Sequence, residues 1–189
     1  MPGPAIGPSR GETPGETIKK RHQLAAALSL ATALPAMAQT VVIVRHAEKA
    51  DASADPVLSA AGQARAQALA AALTDAHPSL ILTSPLQRTI LTAAPTAEYH
   101  STPSEAVSLD GGGAAHIAAT VARVRALPED ATVLIVGHSN TVPAIARALG
   151  YADAADMPEC EYDRLTTLHL SGAETHGEVT RYGERTTCP

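Results

Sequence analysis

The chain has 189 residues, 45% of them apolar, with 14 basic and 19 acidic side chains and a formal net charge of −5. That length suits one domain with its own core, and the acidic balance argues against a nucleic-acid surface, which needs a cationic stripe. Phe and Trp are absent, so the core must be built from Ala, Leu, Val and Ile.

Residues 1–38 read as an N-terminal extension and secretory signal peptide, leaving residues 39–189 as the single domain. A polar, Pro/Gly-rich stretch is followed by the basic IKKRHQ, then by the apolar LAAALSLATALP, then by Ala36-Met37-Ala38. Those are the charged, apolar and small-residue parts of a signal cleaved after Ala38. An uncleaved anchor is the alternative, but the run is short of the roughly 20 residues a spanning helix needs. The expectation is therefore a periplasmic or secreted protein with no stable membrane insertion. Without Arg10, Lys19, Lys20, Arg21, Glu12 and Glu16, the remaining chain carries 10 basic and 17 acidic residues.

Thr40 to Val44 is a continuous β-branched run and reads as a strand buried on both faces. Ser59 caps a helix to about Ala76, with Leu69 and Leu73 on one side. Leu80 to Leu82 is a second short strand. Ser84-Pro85 reads as cap and first-turn proline of a helix to about Ala94. Residues 95–113 read as irregular, with Pro95, Pro103 and the triplet Gly111-Gly112-Gly113. His116 to Leu127 is helical, Thr132 to Val136 is another buried strand, and Asn140 or Thr141 starts a helix that Gly150 ends. Leu165 to Leu170 and Glu178 to Tyr182 close the sheet. The order β-α-β-α-α-β-α-β-β predicts a three-layer α/β/α fold with a largely parallel central sheet.

Three strand ends carry charge. The first runs into Arg45-His46, the second into TSPLQRT with Arg88, and the third into Gly137-His138-Ser139-Asn140. Ligands of open parallel sheets bind at the carboxyl ends of strands. Two guanidinium forks and two imidazoles meeting there would suit a phosphoryl group. One neutral histidine could attack phosphorus while the other, protonated, donates to the phosphoryl oxygens.

Cys160 and Cys188, an even count in a chain expected to be exported, suggest a disulfide; two free thiols are the alternative, and neither has a second ligand at zinc-finger spacing.

The segments VVIVRHAEKA, DPVLSAAGQARAQAL, ILTSPLQRTILTA and TVLIVGHSNTVPAIARALG together resemble the histidine phosphatase superfamily, also called phosphoglycerate mutase-like. The likeness is strongest to small exported bacterial members carrying RHAEK. It implies His46 as nucleophile and Arg45, Arg88 and His138 as the rest of a phosphate pocket, with no metal and no cofactor. Asn140 is a candidate to orient His138 or touch substrate, or simply a helix cap. Glu48 and Lys49 are candidates for substrate contact at the rim, or pair with each other. Many relatives carry an acidic proton donor after the TSPLQRT-like element. Here that segment offers Asp110 and His116, each also explicable as a turn or helix-start residue, and Ser139 stands where other relatives have a carboxylate after the second histidine. His77, His100, His169 and His176 have no motif around them.

The resulting expectation is an exported phosphomonoester hydrolase acting through phosphohistidine on a small phosphorylated substrate. A mutase-like phosphotransferase, a protein phosphohistidine phosphatase and a non-catalytic phospho-ligand binder are the alternatives. Residues 95–116 contain no Arg or Lys, which disfavours a polyphosphate.

Overall fold

The computed structural model describes residues 38–188, together with Met1, Gly3, Pro4, Ala5 and Gly7. The chain divides into two units, Met1–Leu34 and Pro35–Pro189, and the fold is that of the second. The expected signal peptide lies, apart from those few positions and Ala38, outside the described residues.

Ten elements follow in order: β1 (Gln39–Arg45), α1 (Ala60–Ala72), β2 (Leu80–Thr83), α2 (Gln87–His100), β3 (Ser104–Ala106), α3 (Gly112–Arg125), β4 (Thr132–Gly137), α4 (Thr141–Ala148), β5 (Arg164–Ser171) and β6 (Glu174–Arg181). They form one six-stranded sheet in the order β3-β2-β4-β1-β5-β6. Only β5 runs against the rest, pairing antiparallel with both β1 and β6. This is the mixed, mostly parallel α/β architecture the strand pattern predicts.

Alternation along the strands sorts the core into two layers. Val41 and Ile43, with Leu80, Leu82, Val133 and Ile135, pack against Val124 of α3 and Val142, Ile145 and Leu149 in and after α4. Val42 and Val44, with Ile81, Leu134 and Val136, pack against Leu69 and Leu73 of the α1 region and Ala93 of α2. A strand covered on both faces has little room for a polar side chain along its middle, which is why β1, β2 and β4 are apolar between their ends.

Three expectations need correction. The second helix begins at Gln87, not at Ser84-Pro85, and runs on through Pro95 to His100. The Ser84 hydroxyl is engaged by Thr89 and His138, and the one backbone amide that donates to it, from Leu86 at 3.4 Å, precedes the helix. The Gln87 amide donates instead to Asp55 Oδ1 at 2.8 Å. Burial of Ala93 and Thr96 on either side of Pro95 carries the helix past it. The stretch read as irregular therefore holds the end of α2, the strand β3 and the start of α3. The strand β6 is longer than read, because pairing with β5 begins at Glu174.

Candidate active site

The parallel register determines where the site lies. Arg45 pairs with Gly137 across β1 and β4, and the His46 amide donates to the Gly137 carbonyl at 2.9 Å. The next residues, His46 and His138, must then leave adjacent strands side by side, and their ring centroids lie 5.3 Å apart. Thr83 pairs with Val136 on the other side of β4, which brings Ser84 to His138: Ser84 Oγ lies 3.0 Å from Nε2. The cleft at these strand ends has a volume of about 480 Å³ and is lined by Arg45, His46, Lys49, Arg88, His138 and Glu159, with Leu86, Leu109, Gly113, Ser139, Asn140 and Thr141.

His46 Nδ1 lies 2.8 Å from the Ala47 carbonyl. A carbonyl only accepts, so Nδ1 carries the proton and Nε2 keeps its lone pair. Burial pushes the His46 pKa down to about 4, helped by the positive charges of Arg45, Arg88 and Lys49 and opposed by the Ala47 bond. Burial also takes His138 down to about 3, with His46, Arg88, His116 and Arg45 adding to the effect. The division expected from sequence, one neutral ring and one charged, thus does not hold in the ligand-free protein. Burial first, and then the surrounding cations, favour the neutral form of both rings there.

Arg45 is 2% exposed. Its Nη1 donates to the carbonyls of Pro158, Glu159 and Glu161 at 3.2, 2.7 and 3.1 Å. Nη2 donates to Glu159 Oε2 at 2.8 Å, and the guanidinium carbon sits 4.1 Å from the Tyr162 ring centroid. Arg88 donates from Nη1 to the Ala54 carbonyl at 3.4 Å. In both arginines Nε is buried without a partner. An orphaned guanidinium donor is costly unless an acceptor arrives, and these two belong to residues lining the same cleft.

The other expected residues divide. Lys49 is exposed and lines the cleft, while Asn140, which precedes α4, lines it without making a capping bond. Glu48 does not line it and is not paired with Lys49. Its carboxylate is gripped by Arg65, with Nε at 2.9 and 3.0 Å from the two oxygens and Nη2 at 2.7 Å from Oε1. Gly62 is required beside it, since a Cβ there would stand 2.2 Å from the Glu48 carbonyl oxygen. The two proton-donor candidates also fall outside the lining. Asp110 sits in the turn before α3 with its amide on Ser108 Oγ, and the buried His116 has Nδ1 3.2 Å from the Ser108 carbonyl. Only Leu109 and Gly113 of that segment reach the cleft.

Two contributors were not singled out from sequence. Ser84, read as a helix cap, is fully buried and links His138 to Thr89. Glu159 reaches the cleft from a loop 114 residues beyond Arg45, and the Ser139 hydroxyl donates to its Oε1. The bond from Ser139, then the charge and bond of Arg45, hold the Glu159 carboxyl below its ordinary range despite some burial. That loop is braced immediately after Glu159. Cys160 and Cys188 form a disulfide with Cα atoms 5.4 Å apart. Glu161 is gripped by Arg164 and Arg181.

Among the described residues, no three of His, Cys, Asp and Glu converge as a metal-holding group, and no helix is long and apolar enough to cross a membrane.

The family model of the histidine phosphatase superfamily (branch 1) matches residues 41–109, a span that contains Arg45, His46 and Arg88 and ends before His138. A solved structure of a candidate phosphohistidine phosphatase SixA from Nakamurella multipartitia is similar at 26% identity, over 79% of this chain and 98% of that one, with a TM-score of 0.55. The protein histidine phosphatase SixA complexed with tungstate aligns at 20% identity over 75% and 96% of the two chains, TM-score 0.60. A mycobacterial glucosyl-3-phosphoglycerate phosphatase aligns at 18% identity over 77% and 98%, TM-score 0.55. The last two likenesses, each below a quarter identical, speak to the fold. No curated protein matches the chain.

Proposed function

We propose that this chain is a metal-independent phosphomonoester phosphatase of the histidine phosphatase superfamily, with His46 as its nucleophile. The observation that carries the reading is one cleft lined by His46, whose Nε2 is unprotonated, and by Arg45 and Arg88, each with a guanidinium donor left without a partner. The match over residues 41–109 and the phosphatases among the structural neighbours support it.

On this reading a phosphoryl group docks between Arg45, Arg88 and His138, with Lys49 and Asn140 at the rim. Its negative charge meets fixed positive charge that needs no reorganisation during the reaction. The same charge reverses the balance at His138: a dianion beside the ring favours imidazolium, which can then donate to a phosphoryl oxygen. The bond to Ala47 keeps the His46 proton on Nδ1 and burial keeps the ring neutral, so Nε2 attacks phosphorus to give a phosphohistidine that water then hydrolyses. A small phosphorylated substrate fits a cleft of about 480 Å³. We also read the protein as exported, because a Cys160–Cys188 disulfide persists in oxidising compartments and the leader has the pattern of a signal peptide.

The test is turnover of p-nitrophenyl phosphate by the purified protein with chelator present, inhibition by vanadate, and mass-spectrometric trapping of phosphate on His46. We expect His46→Ala to remove turnover and the trapped phosphate together. Activity that needs added metal, or that survives His46→Ala, overturns the reading. Transfer of the phosphoryl group to a second hydroxyl instead of water identifies a mutase, and phosphate binding without turnover identifies a binder.

A further inference from the structure

We propose that Glu159 is the proton donor and acceptor of this cleft, an inference that rests on the phosphatase reading above. The phosphatase reaction needs a group to protonate the departing ester oxygen and to take a proton from the attacking water. Asp110 and His116 do not line the cleft, and among the described residues that do, Glu159 is the single carboxylate.

Its placement is built. The Ser139 hydroxyl, on the residue after His138, donates to Oε1. Arg45 holds Oε2 from one side, and its Nη1 fastens the carbonyls of residues 158, 159 and 161. The disulfide at Cys160 and the clamp on Glu161 fasten the loop again. Yet the Glu159 side chain is 82% exposed, so it exchanges protons with solvent freely. A residue serving only to neutralise Arg45 would need neither the serine nor the rim position.

Arg45 also explains how the carboxylate changes state. Its Nε and Nη2 form one side of the guanidinium fork, of which Nε is orphaned and Nη2 holds Glu159. A phosphoryl group taking both donors displaces Oε2. Glu159 then loses its cation and gains a dianion as neighbour, while Ser139, His46, Lys49 and Arg88 remain around it; the exchange favours the protonated acid.

In the first step the His46 Nε2 lone pair forms the N–P bond and the ester P–O bond breaks. Its electron pair goes to the leaving oxygen, which takes the Glu159 proton and departs as the alcohol. In the second, Glu159 takes a proton from water as its oxygen attacks phosphorus, and the N–P electron pair returns to Nε2.

The experiment measures kcat/KM, which reports the first step and not the hydrolysis common to both esters, for wild type, Glu159→Gln and Ser139→Ala on a glycerol phosphate ester and on p-nitrophenyl phosphate, across pH. The alkyl ester needs a proton on its leaving oxygen and p-nitrophenolate does not. We expect Glu159→Gln to lose roughly 100-fold on the alkyl ester and far less on the aryl one, with loss of the basic limb of the alkyl profile. Ser139→Ala should shift that limb and lose less. Equal losses on both esters, or faster alkyl turnover in Glu159→Gln, overturn the inference and leave the phosphatase reading standing. A wild type inert on both esters overturns the two together.

Discussion

Two arginine–glutamate pairs flank the nucleophile strand, and they are used differently. Arg65 spends every donor group. Nε and Nη2 hold Glu48, and Nη1 holds the carbonyls of Tyr182 and Glu184 at 3.2 and 3.0 Å. Its partner is 24% exposed. Arg45 holds one carboxylate oxygen with one nitrogen, keeps Nε unpaired, and has a partner that is 82% exposed. The first pair is a closed bracket that fastens the turn after β1 to α1 and to the C-terminal segment. The second is open, with capacity left for an anion. Charge that is fully paired supports the fold; charge left unpaired at a strand end is available to a ligand.

Truncating each arginine should separate these roles, with the largest effect at the open pair. Arg45→Ala is expected to lower kcat/KM on p-nitrophenyl phosphate by about 10³-fold, the scale of losing a fixed donor to transition-state charge. Arg65→Ala should keep kcat/KM within a few-fold of wild type. It should cost about 2–3 kcal/mol of stability in urea unfolding, because it strands the half-buried Glu48 and two carbonyls. A loss of activity in folded Arg65→Ala as large as that in Arg45→Ala would erase the distinction.

This contrast was only partly legible in the sequence. Buried parallel strands announce themselves as short β-branched runs, so β1, β2 and β4 could be read, and with them the three strand ends where Arg45, His46, Arg88 and His138 meet. The three-residue strand β3, Ser104–Ala106, is half exposed and carries no apolar pattern. Ser84 follows a strand and precedes a proline, which looks like a cap; only the register of β2 against β4 turns its hydroxyl toward His138. Glu48 and Glu159 were the hardest. Each is decided by an arginine 17 or 114 residues away, and no local periodicity encodes a contact of that range. The expected disulfide did mark the loop holding Glu159, because Cys160 is its neighbour.

The disulfide gives the next way to test the contrast. Cys160 and Cys188 are 28 residues apart, and closing such a loop is worth roughly 3.5 kcal/mol in the chain-entropy model. The Cys160→Ser, Cys188→Ser double variant should therefore unfold at a lower urea concentration by that amount. Its amide exchange should rise across residues 159–162, which carry Glu159, and stay low across the Glu48 turn, which Arg65 fastens without the bond. Unchanged stability, or exchange rising at both places alike, would show that the two pairs are braced as one.

The mildest expected effect near neutral pH follows from what burial, and after it unpaired cationic charge, does to the two imidazoles. Native His46 and His138 have pKa values of about 4 and about 3, against 6.5 for the free side chain. Between those limits the unfolded chain binds protons that the native rings refuse, so stability is lost as pH falls. The contribution is fully present above pH 6.5, and each ring costs about 1 kcal/mol by pH 5.5, with more lost toward pH 4. The imidazole resonances of His46 and His138 should accordingly stay unmoved by NMR from pH 8 to pH 5. Inorganic phosphate should reverse the trend, because an anion on Arg45 and Arg88 cancels the charges that help keep the rings neutral. Phosphate should therefore raise the His138 pKa and flatten the acid loss of stability. It should leave the Glu48–Arg65 bracket untouched, since no donor there is free to receive it. Rings that titrate near 6.5 in the ligand-free protein would show that neither burial nor excess cationic charge acts on them, and a His138 pKa that phosphate leaves unmoved would show that the open pair receives no anion.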